Sequence, residues 1–293
     1  MKRSIKKILT WVGQLEDSLK SLAAIFYTSR CHTTARKLAG TCRGTCYVMG
    51  NGPSLRVMLE KKGAAWLNGQ AVCMVNDAVL SDYYIAIRPS FYVLADPGYF
   101  NSRLPQLPGY SEPMKTFEAL NQKTGWQMCL FAPANVLHLL RARITNSCIT
   151  LCSYNASPFK GFNTLRILLY RHGWAMPQPQ NVLVAAIFLA INMGYPEINM
   201  LGAEHSWLRN LHVNDRNKVV LVNDHFYDND KISATVWKKC NGTPYLLHEA
   251  LADLSRMFAS YRQLEDYARS RGCVIFNCTP NSFIDAFKRK KLY

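Results

Sequence analysis

The chain has 293 residues, 49% of them hydrophobic, with 35 Lys and Arg against 19 Asp and Glu for a net charge of +16. Such a chain can bury one large core, or a core plus a small lid, and no stretch of about 18 apolar residues is free of charge, which excludes a transmembrane helix. Ten cysteines without regular spacing read as free thiols of a reducing compartment; no histidine pair completes a zinc pattern beside Cys42 and Cys46 or beside Cys148 and Cys152. The excess of cations calls for an acidic partner, whether nucleic acid, an anionic membrane surface or a phosphorylated substrate.

Residues 1–28 carry Ile5, Ile8, Leu9, Val12, Leu15, Leu19, Leu22 and Phe26 at helical spacing, with Lys2, Arg3, Lys6, Lys7 and Lys20 elsewhere on the wheel. The pattern predicts a basic amphipathic helix, suited to an anionic inner leaflet or to docking on the domain or a second subunit. Glu16 and Asp17 interrupt the continuous apolar centre that a signal peptide needs. Residues 29–45, rich in Thr, Arg, Lys and Gly, read as a linker.

The domain begins with an apolar run over 46–49, which predicts a buried strand. Gly50-Asn51-Gly52 breaks that run, and Pro53 suits the first turn of a helix. Strand, turn and helix together suggest a phosphate cradle. Two glycines let the backbone approach an anion, the helix start offers unpaired N–H groups, and Asn51 and Ser54 add side-chain donors. A plain tight turn is the competing reading. Leu55 occupies the third glycine position of Gly-x-Gly-x-x-Gly, and no Gly-Lys-Ser/Thr is present, so neither the dinucleotide fingerprint nor a Walker loop fits. Next come a helix over 55–62, a strand over 71–75 ending in Asn76-Asp77, a helix over 79–87 and a strand over 91–95 ending in Asp96-Pro97-Gly98. Three consecutive strands thus deliver Asn51, Asn76 and Asp96 to one edge, where ligands bind in open parallel sheets.

From 101 to 178 the pattern is less legible. Strands are expected over 127–132 and 149–151 with a helix over 136–143 between them, and residues 159–171 read as a mobile flap or part of a lid. An almost uniformly apolar helix over 182–193 is closed by Gly194-Tyr195-Pro196, and a strand over 197–201 ends in the polar cluster Gly202-Ala203-Glu204-His205-Ser206-Trp207. Polar residues 208–245 exceed an ordinary connection and read as an active-site lid. A long amphipathic helix over 246–271, a strand over 273–276 and a polar turn over 277–282 follow, and 288–293 form a basic tail beyond the fold. The sum is one α/β domain over 46–287, a mostly parallel sheet with helices on both faces and a lid inserted late in the chain.

Gly50-Asn-Gly-Pro-Ser-Leu55 resembles the nucleotide loop of the family 42 glycosyltransferases, bacterial sialyltransferases that use a CMP-sugar. A related turn occurs in the broader Rossmann group that includes flagellin glycosylation factors and hydroxymethylpterin pyrophosphokinases. Gly194-Tyr195-Pro196-Glu197-Ile198, Leu201-Gly202-Ala203-Glu204 and Cys278-Thr-Pro280-Asn281-Ser282 are similar to further blocks of the sialyltransferases. The resemblance implies a single Rossmann-like, GT-A-like domain that inverts configuration without a metal or cofactor. By it, Gly50, Asn51, Gly52 and Ser54 hold the donor phosphate, Asn76 and Asp96 contact ribose and sugar, and Asn181, Gly202 and Glu204 complete the donor site. Asp96 stands where those enzymes carry asparagine, and Glu204 replaces an aspartate. The family's base is a histidine helped by lid tyrosines, which points to His225 beside Tyr227, or to His248 before the long helix; His205 adjoins the donor cluster and is the third candidate.

Asp228-Asn229-Asp230 matches the metal-holding Asp-x-Asp pattern, although a solvated loop is the preferred reading and no metal is expected. The leading expectation is therefore a transferase of an acidic, sialic-acid-like sugar from CMP to a surface-polysaccharide or lipid-linked acceptor. Such an enzyme is expected to be bacterial and cytoplasmic, peripheral on the inner membrane, with a second copy as a further partner. Pyrophosphoryl transfer from ATP with magnesium, using Asp96, Asp228 and Asp230, is the first alternative. A charge-driven nucleic-acid binder is the second; the aromatics lie mostly within apolar runs and no RNA or DNA module is recognisable, which argues against it.

Overall fold

The computed structural model describes residues 2–101, 113–223, 233–239 and 241–292. An eight-stranded sheet forms the centre, in the order β11-β10-β6-β1-β2-β3-β4-β5. Its strands are β1 (Thr45–Met49), β2 (Ala71–Val75), β3 (Phe91–Val93), β4 (Met128–Pro133), β5 (Ile149–Tyr154), β6 (Glu197–Leu201), β10 (Val274–Asn277) and β11 (Lys288–Arg289). Every neighbouring pair is parallel. This is an α/β, Rossmann-like sheet. The chain runs outward from β1 through β2 and β3, then returns to place β6 on its other side, so the order reverses between β1 and β6. A crevice opens at the carboxyl ends of strands at such a reversal.

Helices cover both faces because the central strands β1, β2 and β6 bury residues on both sides. One layer comprises α3 (Pro53–Lys62), α4 (Tyr83–Ile87), α5 (Pro113–Lys123) and α6 (Leu137–Arg141); the other is built on α7 (Asn163–Arg171), α8 (Val182–Met193) and α10 (Leu247–Ser270). Ten of the twelve residues of α8 are buried, the reason its sequence lacks a polar face. The Asn181 side chain caps its start by accepting from the Leu183 and Val184 amides at 2.9 and 3.2 Å, and Gly194 closes it in the left-handed region at φ 98°.

Four expectations change. Residues 29–45 are not a free linker: Asn155 accepts from the Arg30 amide at 2.8 Å and donates to its carbonyl at 2.9 Å. Thr34 N–H reaches Ser153 Oγ, and the Gly40 and Cys42 amides donate to carbonyls at the end of α8. A short helix, α2 (Thr34–Lys37), lies within this strap. Residues 159–171 form no flap, because Phe159, Leu169 and Tyr170 are core residues. The basic tail is not beyond the fold: Lys288–Arg289 pair with β10, Arg289 donates to three carbonyls, and Lys290 meets Glu197 at 2.7 Å. Finally, the strand over 149–151 continues to Tyr154.

Within 208–245 stands a second, antiparallel sheet of β7 (Leu211–Val213), β8 (Val219–Asn223) and β9 (Ser233–Val236), entered through α9 (Trp207–Asn210). The basic N-terminal segment is one helix, α1 (Lys2–Thr28). No described helix is long and apolar enough to cross a membrane. All nine described cysteines are free thiols.

Candidate functional site

The loops that leave β1 and β6 meet over the reversal. Their backbones bond directly, Gly50 N–H to the Leu201 carbonyl and Gly52 N–H to the Gly202 carbonyl, each at 2.8 Å. A Cβ on Gly50 would lie 2.4 Å from the Gly202 oxygen, and one on Gly52 would lie 1.6 Å from Glu204 Oε2. The two glycines flanking Asn51 therefore make room for the β6 loop and its carboxylate. Glu204 Oε1 accepts from the Ser54 amide at 2.6 Å, so the start of α3 holds a charge-bearing group of the chain itself. The expected phosphate cradle is thus occupied by Glu204, and the Ser54 side chain does not line the crevice.

Around these loops lies a cleft of about 470 Å³. It is lined by Gly50, Asn51, Gly52, Asn76, Asp96, Asn181, Gly202, Glu204 and His205, nine of the ten expected donor-site residues. Three oxygens of its lining residues are buried without a hydrogen-bond partner among the described residues: Asn51 Oδ1, Asn76 Oδ1 and Glu204 Oε2. Each is an acceptor, and an acceptor withdrawn from water costs free energy until a donor arrives. Asn76 adopts φ +49°, a left-handed conformation that asparagine tolerates better than most residues.

Carboxylates dominate the charged lining. Asp96 accepts from the Gly98 amide at 2.7 Å; burial raises its pKa above the usual carboxylate value, and nearby Asp77 adds to the rise. Asp77 is buried and accepts from Tyr99 Oη and Thr116 Oγ1, both at 2.5 Å. Asp253 accepts from Tyr245 Oη at 2.5 Å. With Glu204 these make four acids, against Lys238 as the single Lys or Arg among the described lining residues.

His205 links the two walls. It adopts φ +52°, stacks on Trp207 with ring centroids 4.5 Å apart, and places Nε2 2.6 Å from Tyr261 Oη, which also donates to Asn181 Oδ1 at 3.1 Å. Burial lowers its pKa to about 3, so the ring is neutral at ordinary pH. It exchanges hydrogen bonds and carries no charge for a phosphate. Of the other histidines proposed as base, His248 is exposed on the first turn of α10 and does not line the cleft, whereas His225 and Tyr227 lie outside the described residues, as do Asp228 and Asp230.

No family model and no curated protein matches the chain. Four solved chains match it, one of them a glycosyltransferase. This is the MAf glycosyltransferase from Magnetospirillum magneticum AMB-1, 13% identical, with a TM-score of 0.47 over 88% of the present chain. The present chain spans 37% of that protein's length.

Sequence reading missed Gln180 and Asp253, which also line the cleft, and placed Trp207 only within the polar cluster and Trp237, Lys238 and Tyr245 only within the expected lid. Trp237 and Tyr245 pack with ring centroids 4.8 Å apart beside Lys238. Their only local signal is two aromatics and a cation within a polar segment. Asp253 falls on the expected amphipathic helix, and nothing in its spacing separates it from the solvated acids there.

Proposed function

We propose that the chain is a glycosyltransferase whose cleft binds the nucleoside end of a nucleotide-sugar. The observation that carries this reading is the trio of unpartnered acceptors, Asn51 Oδ1, Asn76 Oδ1 and Glu204 Oε2, at the carboxyl ends of β1, β2 and β6. They call for a ligand rich in hydroxyl and amino donors, as a ribose diol and a cytosine amine are, and a phosphate offers none. Lys238, on the wall formed by the small sheet, supplies the positive charge for the phosphate, and Trp237 and Tyr245 flank the sugar. CMP is the preferred nucleotide because the loop that bears Asn51 resembles that of enzymes using CMP-sugars. The acceptor is a glycan or glycolipid.

His225 is assigned as the base that takes the acceptor proton. A neutral imidazole with a pKa of about 3, as in His205, is too weak a base for that step. His225→Asn should lower kcat by about 10²- to 10⁴-fold with little change in nucleotide affinity. Unchanged turnover would remove His225 from the mechanism.

A second reading, magnesium-dependent transfer from ATP, is favoured by the four acids against one lysine, a lining that suits a cation-carrying donor. Among the described residues no cluster has the makings of a metal site. Calorimetric titration with CMP, UDP and ATP, each with and without magnesium, separates the two. EDTA-insensitive CMP binding, weakened at least tenfold by Asn76→Ala, is the expected outcome; tight binding of ATP only with magnesium would replace the first reading with the second.

A further inference from the structure

The helix α1 is held to the body along one stripe and leaves another bare. Its attached side is Leu15, Ser18, Ser21, Leu22 and Ile25. Ser18 Oγ accepts from the Phe162 amide at 3.1 Å, Ser21 Oγ bonds the amide and carbonyl of Lys160, and Gly161 lies so close that a Cβ there would meet Ser18 Oγ at 2.1 Å. At about 100° per residue this side lies about 120° around the helix from a second row, Ile5, Ile8, Leu9, Val12, Leu19 and Phe26. That row is 49% to 82% exposed. The sequence pattern merged the two rows into one apolar face; the structure separates them, and docking on the body satisfies only the first.

We propose that this second row seats the protein on a lipid surface bearing anionic headgroups. Charge complementarity chooses the occupant. Lys2, Arg3, Lys6 and Lys7 precede the first acid, Glu16, so the leading half of the helix is purely cationic, and the whole chain carries +16. Pairing the row with the same row of a second copy in parallel would bring those cations together; an anionic surface neutralises them while taking up the apolar side chains. A helix of this kind lies in the interface and does not span it, in keeping with its hydropathy. The attachment is independent of what the cleft binds.

The test is co-sedimentation of the full chain with vesicles of phosphatidylcholine alone and of phosphatidylcholine mixed equally with phosphatidylglycerol, at low and high salt. Binding is expected to the mixed vesicles, to weaken with salt, and to fall about tenfold or more both in Ile8→Asp/Val12→Asp and in Lys6→Glu/Lys7→Glu. All four side chains are exposed, and circular dichroism checks that the fold is retained. Equal binding by the apolar variant and the parent would overturn the proposal, as would equal affinity for the two vesicle types. So would a parent that ignores vesicles and elutes as a dimer which Ile8→Asp/Val12→Asp converts to a monomer, since the row would then be covered by a second copy.

Discussion

Gly52 shows how one missing methyl group organises the site. With any side chain there, the Glu204 carboxylate loses its place beside the start of α3, and the Gly202 carbonyl, 2.8 Å from the same Cβ position, blocks escape in its direction. Gly52→Ala should therefore destabilise the fold by about 1–3 kcal/mol and weaken nucleotide binding, measured by denaturant titration and calorimetry. Ser54→Ala, which keeps the amide that Glu204 engages, should leave affinity within about twofold. If Ser54→Ala weakened binding as much as Gly52→Ala did, a side-chain role for Ser54 would be restored. His205 makes a pH-dependent contribution. Its folded pKa, about 3, lies below the unfolded value near 6.5, so protonation favours unfolding. The native state gains from the neutral ring above pH 6.5 and loses that gain as pH falls toward 3, by about 1.4 kcal/mol per unit. His205→Gln should lose about 2 kcal/mol less stability than the parent between pH 7.5 and pH 5 in urea titrations.

Among the elements, α8 joins core and cleft. Asn181 caps it and receives the Tyr261 hydroxyl that also meets His205, so Asn181→Ala should cost about 1–2 kcal/mol and loosen the His205 wall as well. A thermal melt of this variant should show lower stability, and calorimetry weaker nucleotide binding; a stability loss alone would confine Asn181 to capping. Asn155 tests the strap in a different way. Its side chain ties Arg30 to the Gly173 carbonyl, so Asn155→Ala should speed tryptic cleavage in 30–43 and leave cleft affinity unchanged. The buried parallel strands and α8 were legible in the sequence because their apolar runs have no polar face to blur the boundaries: 71–75, 182–193 and 197–201 match to the residue. Asn51, Asn76 and Asp96 were legible for the same reason, each being the first polar group after an apolar run. The strap was not, because its seat on Asn155 and α8 depends on backbone donors that composition does not record. Likewise, glycines flanking Asn51 signalled a close approach, but whether a phosphate or Glu204 does the approaching is settled only by how β6 returns beside β1.

On the scale of the whole molecule, charge is divided between surface and site. The chain carries +16, yet the described cleft lining holds four acids and one lysine, so nearly all the cations lie elsewhere, seven of the 35 on α1 and the strand β11. A nucleotide that binds the cleft at a concentration about 100 times its Kd should stabilise the fold by about 2.7 kcal/mol, raising Tm by about 4 °C for a chain of this size. A scan of CMP, UDP and ATP by thermal shift should rank them as calorimetry does. A nucleotide that binds without raising Tm would be engaging the folded and the unfolded chain equally.

The attachment of α1 and the strap also sets an order of assembly. Ser153 and the 160–162 turn, which receive Thr34, Ser18 and Ser21, lie 119 to 144 residues further along the chain. At about 5–20 residues per second, synthesis delivers them roughly 6 to 30 s after their partners. For that interval both rows of α1 are free, the one that will dock and the one that stays bare. Helix α1 is thus made well before the residues that fasten it, and until they follow it presents the most apolar surface of its lifetime.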